Sequence, residues 1–303
     1  MSWQAGHGHI EETLKSIFDQ TYNDFQLLIY DDCSPDDPTD KIRSLITNDS
    51  RASFERGARR LGSSKASQYI LDCAPLDTDF FAWISDHDLY DKNWLSELLE
   101  SLEIHENAAV SYPFVTGIDS SGNINERRPT IYQNDDRPLF DRIDSFLSLK
   151  AGAGNIIWGL YRFPLLRKIG GWPMIIVPDI ILLTRLNLLG SIIQVEKCLH
   201  VRREQEEREN VMTSKHSKGM IARQIRGIFP SRPFYTYLEY RLVNSIYLLF
   251  KGPIVALFSK EFKFSAAMFM WRRYNKYNIL PLIMEMPKRL ISNRLTRYIK
   301  RKL

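Results

Sequence analysis

Two clusters of carboxylates stand directly after apolar runs in this 303-residue chain. In FFAWISDHDLYDKNW (Phe80–Trp94) the acids are Asp86, Asp88 and Asp91, with His87 between the first two. In FQLLIYDDCSPDD (Phe25–Asp37) they are Asp31, Asp32, Asp36 and Asp37. Carboxylates gathered at one strand end suit a hard divalent cation that bridges phosphate oxygens, because Mg²⁺ takes few protein ligands and leaves room for substrate. A histidine among them would shift the preference toward Mn²⁺. The competing role for the same acids is to cap the helix that starts near Trp94, since Asp is favoured at helix N-termini. An EF-hand is excluded by the missing Gly and distal Glu, and no G-x-G-x-x-G fingerprint is present.

The elements that must position these acids can be read from hydrophobic spacing. Ile10, Leu14, Ile17 and Phe18 recur at helical intervals, so residues 10–20 are expected to form an amphipathic helix. FQLLIY is a short buried strand, and the Asp- and Pro-rich stretch after it is a turn. Helices are expected over 39–47, over 63–74 with Ser63 and Ser64 as caps, and over 94–105. Phe80 to Ile84 and Ala108 to Ile118 read as strands, and VPDIILLTRLNLLGSIIQV as a loop, a helix and a strand. Helices alternating with apolar strands indicate an α/β sheet with mostly parallel strands, in which ligands bind beyond the carboxyl ends. Both acidic clusters fall at such ends, which places them at one shared site.

Composition narrows the class further. A 44 % hydrophobic, 12 % aromatic chain is globular rather than disordered. Cys33, Cys73 and Cys198 are too scattered for a disulfide framework or a C-x-x-C metal site, which fits a reducing compartment. MSWQAGHGH lacks a basic stretch followed by an apolar one, so no secretory signal is expected. The most apolar late segment, Val243 to Phe258, is interrupted by Lys251, Gly252 and Pro253, which argues against a spanning helix. Charge is uneven. Residues 1–200 hold 19 Lys and Arg against 29 Asp and Glu, whereas residues 201–303 hold 22 against 7. An acidic body and a basic tail point to different partners.

The motif order carries a resemblance. ETLKSIFDQTYNDFQLLIYDDCSPDD, followed by FFAWISDHDLYDKNWLSELLESLE, resembles family 2 glycosyltransferases, and WGLYR, KIGGW and PDIILLTRLNLLG are similar to that family's acceptor region. The likeness runs from Ile10 to Arg203. It implies a GT-A-type, Rossmann-like α/β fold: a mixed, mostly parallel sheet flanked by helices, with a helical, basic C-terminal extension. Residues 1–209 would form the nucleotide-sugar and acceptor domain, and residues 210–303 a helical, aromatic and basic region. The implied activity is inverting transfer from a nucleotide-sugar donor to a hydroxyl of a glycan or lipid-linked acceptor, assisted by Mg²⁺ or Mn²⁺.

The resemblance also assigns roles. The D-D-x-S element puts Asp31 and Asp32, with Ser34 beside them, against the nucleotide's base and ribose. The D-x-D-type element puts Asp86, His87 and Asp88 at the metal and donor diphosphate. Asp86 and Asp88 match by composition, while the register of the FFAWI strand puts His87 at the second ligand position, so both remain candidates. Gly62 falls where the family approaches the donor, with Arg59, Arg60 and Lys65 as candidate diphosphate contacts. Arg202 and Arg203 resemble a late arginine near the diphosphate, and Asp179 matches the general base, a role it could combine with capping the next helix. His200 reads as a packing residue.

The family's first apolar strand, ending in P-x-Y-N, has no counterpart in MSWQAGHGH. That gap raises a second reading, a catalytically inactive relative that keeps the fold for binding or scaffolding. The basic segment KRLISNRLTRYIKRKL suits anionic lipid headgroups, consistent with a cytoplasmic protein peripheral to a membrane. No nucleic-acid recognition motif accompanies the charge.

Overall fold

Apolar residues three and four apart put Ile10, Leu14 and Ile17 on one buried face of helix α1 (Ile10–Phe18). Strand β2 (Leu27–Asp31) follows, then α2 (Thr39–Ile46), β3 (Ala52–Arg56) and α3 (Ser63–Asp72). The computed structural model describes residues 2–3, 9–119, 123–125, 132–135, 137–149, 155–174, 178–203 and 272. Ahead of α1, residues Ser2–Trp3 form a two-residue strand, β1, parallel to β2 at Tyr30 and Asp31. The opening segment therefore contributes a short strand, where the sequence led us to expect none.

The first sheet is β1-β2-β3, all parallel. The second is built from β4 (Phe80–Phe81), β5 (Leu89–Tyr90), β6 (Ala108–Ile118), β7 (Ile124–Asn125), β8 (Leu160–Arg162) and β9 (Ser191–Arg203). Its order is β4-β8-β6-β9-β5, with β7 on β6. The long pairing, β6 with β9, is parallel, and the antiparallel pairings are two-residue contacts. Pro113 cannot donate to a ladder, and the β6–β9 register shifts beside it. Helix α4 (Trp94–Ile104), α5 (Leu139–Leu147), α6 (Phe163–Lys168) and α7 (Pro178–Leu189) complete the described elements.

Two apolar clusters hold the layers. One joins α1, β2 and α4 through Ile10, Leu14, Ile29, Trp94 and Leu98. The other joins β6, α5 and α7 through Val110, Tyr112, Phe146, Ile181 and Leu186. Helix α7 is buried nearly all round, Arg185 and Asn187 included, which is why its sequence shows little amphipathic pattern. Two expectations need adjusting. The strand starting at Phe80 stops at Phe81, and Ser63 and Ser64 make no cap bond at α3, whose N-cap residue is Gly62. The expected boundary between residues 209 and 210, the helical C-terminal region and KRLISNRLTRYIKRKL lie outside the described residues. Among the described residues no helix is long and apolar enough to cross a membrane.

The end of α1 explains the S-I-F-D-Q-T-Y segment. Buried Gln20 donates from Nε2 to the Ser16 and Asp91 carbonyls (3.0 and 2.7 Å), and its Oε1 accepts from Leu95 N (2.9 Å). Thr21 N donates to the Lys92 carbonyl at 2.8 Å, and Ser16 Oγ accepts from Tyr90 N at 3.3 Å. In the first turn of α4, Leu95 N is thus satisfied by Gln20, just beyond α1, and Trp94 N by the local Asp91 carbonyl. Gln20→Ala would leave Leu95 N–H without its acceptor and is expected to lower the unfolding free energy by about 2–3 kcal/mol. A urea titration reads this directly, and a loss below about 0.5 kcal/mol, the size of an ordinary surface change, would remove the pin.

Candidate active site

The turn after β2 is assembled around two buried carboxylates. Asp31 ends the strand opposite Arg56 of β3, and that register brings the guanidinium onto its carboxylate. Asp31 also accepts from Ser34 N at 3.1 Å, while Arg56 Nη2 donates to the Ser34 carbonyl at 2.8 Å. Cys33 takes a left-handed conformation (φ 57°) inside this turn. Asp32 accepts from two successive amides, Leu61 N at 2.6 Å and Gly62 N at 2.8 Å. Gly62 adopts φ 86° and ψ 154°, a conformation essentially restricted to glycine. Asp31, Asp32, Ser34 and Gly62 are therefore brought together as expected. Asp36, Arg59, Arg60 and Lys65 are exposed. Arg56 was not anticipated; its place at the end of a polar strand gives no sequence signal until β3 is registered on β2.

The second acidic cluster lies on the turn between β4 and β5. Asp86 Oδ1 and His87 Nδ1 are 2.6 Å apart, and Ser85 Oγ is 3.1 Å from the same nitrogen. Asp88 is 2 % exposed, with its Oδ1 3.7 Å from His87 Nε2. Its Oδ2 lies 3.0 Å from Nε2 of fully buried His200, and its Oδ1 accepts from Arg203 N at 2.9 Å. Burial alone would raise the Asp88 carboxyl. The His200 hydrogen bond, the nearby imidazoles and the Arg203 N–H outweigh it and hold the group below the ordinary carboxylate value. Arg203 then donates from Nε to the His87 carbonyl (3.2 Å) and from Nη2 to Glu12 of α1 (2.6 Å). His200 does pack, as expected, stacking on Tyr90 at 4.9 Å and 7°, but it is also Asp88's partner.

None of these acids caps α4. Asp91 accepts from Asn93 N, and Gln20 serves the helix start. Among the described residues no group of three or more His, Cys, Asp or Glu side chains is disposed to hold a metal ion. Both Asp88 oxygens are engaged inside the protein, and Asp86 Oδ1 and His87 Nδ1 are engaged with each other, so a cation bound by this pair would take the place of their mutual contact. Two such neighbours suit an ion whose other ligands are water and phosphate.

Asp179 lies in the first turn of α7, which begins at Pro178; it is one residue inside the helix and not its N-cap. Its charge acts on Tyr161, whose hydroxyl is pushed well above its ordinary value first by burial and then by Asp179. The KIGGW segment turns through Gly170 and Gly171, both at positive φ. Trp172 N then donates to Gln68 Oε1 of α3 at 2.6 Å, and the Trp172 ring meets Trp83 edge-on at 4.8 Å. Trp83 in turn donates from Nε1 to the Ser67 carbonyl. The segments around Trp172, α3 and the approach to the acidic turn are therefore packed together. WGLYR contributes differently, because Arg162 donates to the Leu102 and Ala108 carbonyls and closes the end of α4.

Residues 8–170 match the sequence model of glycosyl transferase family 2. Among solved structures, the fold is similar to that of S. aureus TarS 1–349 in complex with UDP-GlcNAc, at 16 % identity and a TM-score of 0.60, with 95 % of this chain and 75 % of that chain covered. The complex of TarS 1–349 with UDP is similar at 16 % identity and a TM-score of 0.54, covering 91 % and 87 % of the two chains. GalNAc-T7 with UDP, GalNAc and Mn²⁺ is similar at 13 % identity and a TM-score of 0.52, covering 96 % and 57 %. No curated protein matches the chain. The common architecture is the GT-A fold.

Two outcomes follow for the site's stability. Because the Asp88 carboxyl is depressed in the folded state, its contribution is complete above about pH 4, the unfolded carboxylate value, and is lost as pH falls through its lower native value. Asp88→Asn should therefore be less stable than the parent at neutral pH and show a shallower loss of stability below about pH 4. Thermal midpoints measured across pH 2–6 would check this, and parallel curves for the two proteins would contradict it. At Gly62 nothing lies within 4 Å of an added Cβ, so the substitution isolates the backbone. Gly62→Ala should cost about 1–3 kcal/mol from conformation alone in a denaturant titration.

Proposed function

Because the chain belongs to glycosyl transferase family 2, we propose that it transfers a sugar from a nucleotide-sugar donor to a hydroxyl of a glycan or lipid-linked acceptor, with inversion and with help from Mg²⁺ or Mn²⁺. The observation that carries this reading is the division of labour in the acidic turn. Asp88 is locked inward by His200 and Arg203, while Asp86 and His87 stand together as an adjacent oxygen and nitrogen.

In this reading the nucleoside lies against Asp31, Asp32, Ser34 and Gly62. Their polar groups are already fixed by Arg56 and by backbone amides, so little reorganisation accompanies binding. Asp86 and His87 would hold the cation, which when bound neutralises charge on the leaving diphosphate. A nitrogen ligand favours Mn²⁺ over Mg²⁺. Arg203 is committed to the His87 carbonyl and to Glu12, so it supports the turn. Asp179 is the general base. It takes the proton of the acceptor hydroxyl as that oxygen bonds to the anomeric carbon, while the carbon–oxygen bond to the diphosphate breaks and the diphosphate leaves with the electron pair. Asp179 stands in the first turn of α7, one residue after Pro178. The basic segment at residues 288–303 supports docking at an anionic membrane face, where a lipid-linked acceptor would be found.

UDP is bound in the similar TarS and GalNAc-T7 structures, which makes UDP-sugars the first donors to assay. Calorimetric titration with UDP should show affinity that tightens at least tenfold (about 1.4 kcal/mol) when Mn²⁺ is added. Asp179→Asn should lower kcat by about 10²–10⁴-fold with UDP affinity unchanged. A folded protein that binds no UDP, GDP or dTDP would contradict the enzyme reading and leave a binding or scaffolding protein.

A further inference from the structure

His200 is an expensive residue at its position. Its ring is fully buried on β9, Nε2 is engaged by Asp88, and Nδ1 has no hydrogen-bond partner. A buried imidazole with one unsatisfied nitrogen costs more than an apolar ring of similar size. Replacing a buried ionic pair by apolar groups is often neutral or stabilising, so packing alone does not account for histidine here.

What the imidazole does reach is both ends of the acidic turn. At the far end it engages Asp88. At the near end it lies flat on Tyr90, its registered neighbour across β5 and β9, and the Tyr90 hydroxyl accepts from Ser85 N at 3.1 Å. Asp86 and His87 are the two residues between these anchors. Arg203, three positions further along β9, adds its N–H to Asp88 and its Nε to the His87 carbonyl. We propose that His200 is a positioning residue for glycosyl transfer: by donating from Nε2 to Asp88 and stacking on Tyr90, it fixes the turn that presents Asp86 and His87 to the donor diphosphate. This rests on the function proposed above. It places a control on the reaction in a residue that touches neither substrate nor cation.

Two variants of the full chain separate the donor from the ring. His200→Phe keeps a ring over Tyr90 and removes the donor; His200→Gln keeps a donor at comparable reach and removes the ring. Calorimetry with UDP, GDP and dTDP, each with Mn²⁺, is combined with hydrogen exchange of peptides spanning residues 83–91 and with thermal midpoints. The expected result is a loss of nucleotide affinity of at least tenfold in His200→Phe, with exchange in 83–91 at least tenfold faster, and recovery of both to within about threefold of the parent in His200→Gln, whatever the order of the thermal midpoints. A tenfold span is the effect of about 1.4 kcal/mol, less than a full buried charge-assisted hydrogen bond. Affinity and exchange in His200→Phe within threefold of the parent would overturn the proposal, as would an equal loss in both variants. If His200→Phe does not fold, a tenfold or greater loss in folded His200→Gln overturns it and near-parent behaviour supports it. If the parent itself binds no nucleotide, the functional reading fails, and exchange in 83–91 still decides whether the His200 donor holds the turn.

Discussion

A carboxylate buried to 2 % exposure must be supplied with hydrogen bonds or it will not stay charged, and Asp88 is such a group. Its needs organise this half of the molecule. Oδ1 takes the amide of Arg203, so β9 has to run as far as residue 203 in the right register. Oδ2 takes His200, so that ring must face β5. Once those two bonds form, the Arg203 side chain is delivered to Glu12 and the acidic turn is tied to α1. Gln20 at the other end of α1 ties the same region through Asp91 and Leu95. The helix is thereby bonded to the segment around the turn from both of its ends.

The first acidic cluster meets the same constraint by the same chemistry. Asp31 is satisfied by Arg56 and an amide, and Asp32 by two amides in succession. In each cluster a deeply held carboxylate takes at least one backbone N–H, and Asp31 and Asp88 each add a cationic or imidazole side chain, Arg56 and His200. This is a preorganised arrangement of the kind that serves charged substrates, because the polar groups are oriented before a ligand arrives.

Much of this was legible in the residues. The spacing of Ile10, Leu14 and Ile17 places α1, Ala108–Ile118 is a strand to the residue, and the motifs single out Asp31 and Asp32, which are buried together at the end of β2. What could not be read depends on contacts far apart in sequence. Gln20 reaches Leu95, Arg56 reaches Asp31, and His200 reaches Asp88, and each pairing exists only once strands are registered. Local rules failed for a related reason. Asp is a good cap, yet Asp86 and Asp88 do not cap α4, because Gln20 arrives from outside and the acids are held elsewhere. Phe80 to Ile84 is apolar enough for a longer strand, but only Phe80 and Phe81 find a partner, on β8. Likewise MSWQAGHGH has no strand pattern, and Ser2–Trp3 pair only because β2 offers a parallel edge.

The Asp88 and His200 pair also limits how this sequence can drift. Losing the histidine alone strands a charge in the interior, and losing the aspartate alone strands an imidazole, so each single change passes through a less stable protein. The two positions, 112 residues apart along the chain, can be exchanged readily only as a couple. Descendants of this chain should therefore inherit both residues or neither.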